Sequence, residues 1–276
     1  MVEKKDTIRY YDQEAENYTN KYYKEITPNS IRLNLILKRF NELGCKKVVD
    51  AGCGSGYPTL TFLKNGFDAR GFDFSPEMVK VSKETLKKEG YDENFICYGD
   101  LEKEIPFKNM KFDGMMMHGP LMHCNDEKAL LRNAFKMLSK DGVILCEARN
   151  DLMAAFSMNE YSKVFYKKLI NYDTLPGKIK KDVDVFYSNL LGCNDSAPWV
   201  ASFQTRFYNP FTIQALFEEC GFEFVRLHFA HFHALPPSFE SKHPIYFHEH
   251  SLAMENPDDW RGYLMASTFL VEAKKA

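Results

Sequence analysis

The stretch "VVDAGCGSGYPTLTFL", Val48 to Leu63, constrains the chain more than any other. A short apolar run ends in an acid, three glycines follow at alternate positions, and a helical pattern begins at Tyr57. A glycine turn between a first strand and a first helix lies beyond the carboxyl end of the strand, where open α/β sheets bind ligands. Glycines let the backbone approach a ligand, and the helix N-terminus favours an anionic group. A dinucleotide site wants G-x-G-x-x-G. Here Gly52, Gly54 and Gly56 bring the third glycine one residue early, Tyr57 stands where that pattern has it, and no Walker lysine follows.

The surrounding pattern repeats the strand–helix step. "KKVVDA", "DARGFDF", "NFICYGD", "KFDGMMMHG" and "GVILCEAR" read as strands. "YPTLTFLKNG", "SPEMVKVSKETLKKEG" and "DEKALLRNAFKMLSKDG" read as helices between them. Ser75 is placed to cap the second of these, with Pro76 at its first position; Thr27, Pro28 and Gly44 frame an earlier helix in the same way. Such alternation predicts an α/β fold, a mainly parallel sheet with helices on both faces. The rhythm breaks after Arg149 and resumes at "NPFTIQALFEECG", followed by the strand "FEFVRLHFAHF", a Pro- and His-rich loop over about Ala234 to Trp260, and a closing strand "YLMASTFLVEA". The expected organisation is a helical arm or lid over residues 1–44, an α/β core over 45–149, a substrate-cap insertion over 150–208, and a return to the core over 209–276.

An acid beside the glycine turn suits a ligand that carries an ammonium as well as an anion. An α-amino acid moiety meets that description better than a pyrophosphate, with Asp50 on the side of the amine. The second strand ends in Asp73, placed to accept hydrogen bonds from a ribose diol, and Phe74 follows for a purine face. The third ends in Asp100, placed to accept from an exocyclic adenine amine. Amino acid, ribose and adenine on three successive strand ends describe S-adenosylmethionine. The bland readings are a tight turn for the glycines, a helix N-terminal acid for Asp73, core packing for Phe74 and Met78, and a turn cap for Asp100.

With "VVDAGCGSG", "GFDFSPEMV", "YGDLEKEIPF", "FDGMMMHGPLMH" and "LLRNAFKMLSKDGVILCEA" in this order, the chain resembles the class I S-adenosylmethionine-dependent methyltransferases over about residues 45–150, and "FTIQALFEECGFEFV" extends the likeness. The resemblance implies a Rossmann-like, seven-stranded sheet whose last strand is antiparallel. It implies Gly52 and Gly54 at the methionine moiety, with Asp50 and Gly56 in the same motif. It implies Asp73 on the ribose, Phe74 and Met78 on the adenine, Asp100 and Leu101 at the adenine edge, and His118 where methyl group and acceptor meet. Tyr11 and Tyr18 of the tyrosine-rich arm are expected to fold over the cofactor.

Methyl transfer to a phenol, alcohol or ammonium needs a base, and His118 and His123 are the candidates. Trp199, Arg206, Tyr208, His231 and His233 are expected at a small, aromatic or heterocyclic acceptor, methylated on O or N. Six of the eight histidines fall between His228 and His250, yet without a recognised ligand spacing, so no metal is expected. The alternatives are a methyltransferase acting on protein or RNA, aminopropyl transfer, a non-catalytic S-adenosylmethionine-binding module, and a dehydrogenase. A net charge of −2 gives no general attraction to nucleic acid or acidic membranes. No apolar run approaches the roughly 18 residues of a membrane span. The seven scattered cysteines contain no CxxC pair, which fits a reduced, cytoplasmic chain.

Overall fold

The structure is a computed structural model, and it describes residues 4–23, 26–191 and 205–275. The N-terminal segment forms α1 (Lys4–Glu14), α2 (Tyr18–Tyr22) and α3 (Pro28–Glu42). The alternating part follows as β1 (Lys47–Ala51), α4 (Tyr57–Lys64), β2 (Asp68–Asp73), α5 (Pro76–Lys88), β3 (Ile96–Tyr98) and β4 (Phe112–Met117). It continues through the one-turn α6 (Pro120–His123), α7 (Glu127–Met137) and β5 (Leu138–Asn150). Three helices come next, α8 (Met153–Ser157), α9 (Glu160–Leu169) and α10 (Gly177–Leu191). The chain closes with β6 (Phe207–Tyr208), α11 (Ile213–Glu219), β7 (Phe222–Phe232), α12 (Pro244–Ala253), α13 (Gly262–Met265) and β8 (Ala266–Lys275).

The main sheet runs in the order β3-β2-β1-β4-β5-β8-β7. Strands β1 to β5 are parallel, and β8 is antiparallel to both β5 and β7. The last strand in sequence thus inserts between β5 and β7. The sheet has eight strands where seven were expected. The extra one is β6, which pairs parallel with β5 at Arg149 and Asn150. Strand β8 already pairs with Arg149, so β6 uses the opposite edge of β5, past the point where the β4 pairing ends at Cys146. A two-residue pairing carries no hydrophobic alternation, so no pattern marks it in the sequence. A second correction concerns the Pro- and His-rich segment. It holds α12, opened by Pro244 in its first turn and anchored by the buried Phe247 and Ser251.

The helix caps are those the sequence encodes. Thr27 and Ser30 form a reciprocal capping box at the start of α3, and Ser75 Oγ accepts from the Met78 N–H at the start of α5. Apolar side chains from the helices fill both faces of the sheet. Phe40, Phe62, Phe112, Phe217 and Phe269 are fully buried, each contributing about 1.5–3 kcal/mol of burial free energy. Because parallel strands are covered on both faces, their carboxyl ends and the loops beyond them are what remains for a ligand. No helix among the described residues is long and apolar enough to cross a membrane.

Candidate functional site

The β1–α4 loop is held against β2 before any ligand enters. Gly52 N–H and Cys53 N–H both donate to the Phe72 carbonyl, at 2.9 and 3.0 Å. Gly54 N–H donates to Asp73 Oδ2 and Ser75 N–H to Asp73 Oδ1, each at 2.9 Å. One carboxylate at the tip of β2 therefore ties the glycine loop to the start of α5. Its burial raises it from the usual carboxylate value to about 6. Gly52 has φ +79°, and a Cβ there would lie 2.6 Å from Pro120 Cγ. Gly52→Ala is therefore expected to destabilise the fold by about 1–3 kcal/mol, read as a drop of several degrees in thermal unfolding. An unchanged midpoint would contradict the close packing.

A cavity of about 670 Å³ extends from this loop across the strand ends. Gly52, Gly54, Asp73, Phe74, Asp100, Leu101 and His118 line it, with Lys4, Tyr11 and Tyr18 from the N-terminal segment. Lys4 Nζ pairs with Asp100 at 2.7 Å and with Glu102, and lies 5.6 Å from the Phe74 ring centre. Burial by itself would raise the Asp100 carboxyl; the Lys4 ammonium outweighs it and holds the group below its usual value. Tyr11 Oη lies 3.0 Å from His123 Nε2, and Thr19 bonds to Ser55 at 2.7 Å. Ser75 also pairs with Asp12. The arm is thus pinned over the cavity at several points along α1 and α2.

Three expected cofactor residues sit elsewhere. Asp50 is buried beneath the loop, where Thr59 Oγ1 donates to its Oδ2 at 2.7 Å and burial raises its carboxyl to about 7. It lines neither cavity. The Cβ that Gly56 lacks would lie 2.8 Å from Ser82 Cβ, so this glycine serves the packing of α4 on α5. Met78 is fully buried core and does not reach the cavity.

A second cavity, of about 1010 Å³, shares a wall with the first through Tyr11, Tyr18, Gly52, Gly54, His118 and His123. Its far side is made by Tyr22, Tyr23, Asn29, Arg32, Glu147 and Arg149. None of these six was expected as a site residue from the sequence. At the shared wall, His118 Nε2 lies 2.8 Å from Arg32 Nε and 3.2 Å from Glu147 Oε2. Arg32 Nε is also 3.0 Å from Glu147 Oε1. Burial lowers the imidazole to about 4, against the pull of Glu147 and with the help of Arg32. His118 is therefore neutral near pH 7. Its Nδ1 is buried with no hydrogen-bond partner.

The expected acceptor residues that are described, Arg206, Tyr208, His231 and His233, lie off both cavities. Arg206 pairs with Glu127 at 2.9 Å and donates to the Asn125 carbonyl at 2.6 Å; Tyr208 Oη donates to the Leu121 carbonyl at 3.0 Å. Both brace the segment that carries His123. His231 bonds to Ser267 at 2.6 Å, and His233 packs on Phe247 with its ring centre 5.4 Å away. Trp199 lies outside the described residues. No cluster of three or more metal-ligating side chains occurs among the described residues.

A glycine loop at a parallel strand end, an acid at the next strand tip and an aromatic residue after it define a nucleoside-binding α/β protein. The family described as a methyltransferase domain matches residues 44–192, and the chain belongs to that family, among the S-adenosylmethionine-dependent methyltransferases of the Rossmann-like class. Its cofactor is S-adenosylmethionine. The ubiquinone biosynthesis O-methyltransferase of Actinobacillus pleuropneumoniae serotype 7 is 27% identical over 136 residues, 47% of this chain and 57% of the relative. This match covers little more than half of that relative's length. The demethylmenaquinone methyltransferase of Bacillus pumilus is 24% identical over 222 residues, 79% of this chain and 86% of its own. Among solved structures, magnesium protoporphyrin IX methyltransferase from Synechocystis PCC 6803, with bound S-adenosylhomocysteine, superposes with a TM-score of 0.53. It is 13% identical and covers 90% of this chain and 84% of its own, a likeness of fold.

Proposed function

We propose that this chain methylates an oxygen or nitrogen of a small aromatic molecule, using S-adenosylmethionine. The observation that carries the reading is the pair of adjoining cavities with His118 in their common wall. A concave second cavity beside the first suits a compact acceptor better than a flat protein or RNA surface. The names of the relatives in quinone metabolism agree with a ring-bearing acceptor.

Asp73, Phe74, Asp100 and Leu101 would hold the nucleoside, and the backbone of Gly52 and Gly54 the amino-acid end. S-adenosylmethionine, when bound, supplies a methyl group already activated on a sulfonium. The protein's remaining work is alignment and removal of a proton from the acceptor. His118 does the second. Its Nε2 accepts from Arg32 Nε–H at 2.8 Å, so the neutral ring carries its hydrogen on Nδ1. The Nε2 lone pair takes the acceptor's proton when that bond is exchanged, and the new Nε2–H then faces Glu147. Glu147, itself held by Arg32, stabilises the imidazolium that results. His123 is tied to Tyr11 and positions the arm. The arm over residues 4–23 serves as the lid that excludes water; the helices after β5, expected as a substrate cap, line neither cavity among their described residues.

Calorimetry with S-adenosylhomocysteine tests the cofactor. Incubation of S-adenosylmethionine with a panel of phenols, catechols and ring amines, followed by mass spectrometry, tests the reaction. The expected result is a one-methyl mass gain on a member of the panel. Cofactor binding with no transfer to any member would favour a non-catalytic binding module.

A further inference from the structure

We propose that the methyl acceptor carries a carboxylate and that Arg149 binds it. The proposal rests on the methyl-transfer reading above and narrows its substrate class. Arg149 stands at the carboxyl end of β5 and lines the second cavity, not the first. Its backbone is fixed on both edges, by Thr268 of β8 and by Phe207 of β6. Its guanidinium is half-buried, and its polar contact is Nε to Met122 Sδ at 3.4 Å. No carboxylate lies within ion-pair distance of it among the described residues.

The other charges on this wall cancel. Arg32 and Glu147 pair at 3.0 Å, and Arg32 also donates to Asn29 at 2.5 Å and to Thr268 at 3.2 Å. His118 contributes no charge near neutral pH. Among these groups, Arg149 leaves a single uncompensated positive charge. A partly desolvated cation without a counter-ion is unfavourable, and a ligand that brings one negative charge removes that cost. The planar guanidinium matches a carboxylate through two parallel hydrogen bonds. A phosphate monoester would bring nearly two negative charges against one positive.

Tyrosine side chains line much of the remainder of the cavity. Tyr11 and Tyr18 have ring centres 6.3 Å apart, and Tyr18 and Tyr22 4.6 Å apart. The proposed acceptor is a flat ring with its acid at the Arg149 end and its reacting heteroatom at the His118 end.

The test is calorimetry on the whole chain saturated with S-adenosylhomocysteine, with protocatechuate, its primary amide and catechol phosphate as probes. Wild-type protein is expected to bind the acid at least about tenfold tighter than the amide. Arg149→Met is expected to abolish that preference without changing affinity for the amide or for S-adenosylhomocysteine. Arg149→Lys, which keeps the charge and loses the fork, is expected to restore part of it. Equal affinity for acid and amide in the wild type overturns the proposal, as does binding of neither. Tighter binding of catechol phosphate moves the site to phosphate and overturns it too. Weakened S-adenosylhomocysteine binding by a folded Arg149→Met assigns the arginine to the cofactor instead. Failure of the wild type to bind S-adenosylhomocysteine at all is a different result: it sinks the methyl-transfer reading, and this proposal with it.

Discussion

Asp73→Ala is expected to weaken S-adenosylhomocysteine binding by about 100-fold while the chain stays folded. This carboxylate holds the glycine loop and α5 together through Gly54 N–H and Ser75 N–H. In the proposed complex it also receives the ribose hydroxyls. Hydrogen bonds to a charged acceptor are worth about 1.5–3 kcal/mol each, so the loss of two accounts for the expected factor. Asp73→Asn keeps one acceptor oxygen and should fall between the two. The pH dependence follows from the same residue. Burial raises its pKa to about 6, so the carboxylate form that accepts from ribose is lost as pH falls through that value. Cofactor affinity should be level above about pH 7 and decline below about 6, with a proton released on binding near the midpoint. The sign for folding is opposite. A raised carboxyl pKa contributes stability that is complete below the unfolded value of 3.8 and is lost as pH rises through about 6. In Asp73→Asn the decline of affinity in acid should disappear. Binding by Asp73→Ala within about threefold of wild type would remove this residue from the cofactor site.

The parts of the site legible in the sequence are those made by consecutive residues. The β1–α4 turn, the tip of β2 and the Ser75 cap are local, and their glycines, acid and serine mark them. What stayed hidden is non-local. Arg32 lies on α3 and Glu147 on β5, and the topology brings them to one histidine after β4. Nothing in a helix reading "NSIRLNLIL" marks its arginine as a residue to be buried. Glu147 and Arg149 did leave a trace, as charges at the end of an otherwise apolar strand, "VILCEAR". In a strand buried on both faces such charges need partners. Asp50 shows the converse limit. Its place beside the glycine turn suggested a ligand contact, but strand residues alternate sides, and its carboxylate meets Thr59 of α4. The histidines near the C-terminus looked like acceptor residues by composition. His231 belongs to β7, the strand at the sheet edge beyond β8 from β5, and His233 follows directly after it.

His118→Ala is expected to lower turnover by about 10²–10⁴-fold, the range for loss of a positioned base, and to leave S-adenosylhomocysteine affinity within about threefold. The measurement uses saturating cofactor, so the titration of Asp73 does not intrude, and the ring acceptor that the mass assay identifies. His118 is neutral down to about pH 4 because burial disfavours its cation. Its stability contribution is present above the unfolded value of 6.5 and lost as pH falls through about 4. The acid limb of turnover should accordingly sit below the ordinary histidine value. Glu147 acts through His118 as a positioning residue, and its carboxylate opposes the depression. Glu147→Gln removes that pull, so turnover should fall while the acid limb moves to lower pH. A purely structural role for Glu147 would lower turnover without moving the limb. Because His118 and Glu147 act as one unit, the double variant should cost little more than His118→Ala alone. Full turnover by His118→Ala at saturating acceptor would place the proton's destination elsewhere, and additive losses in the double variant would uncouple Glu147 from the imidazole.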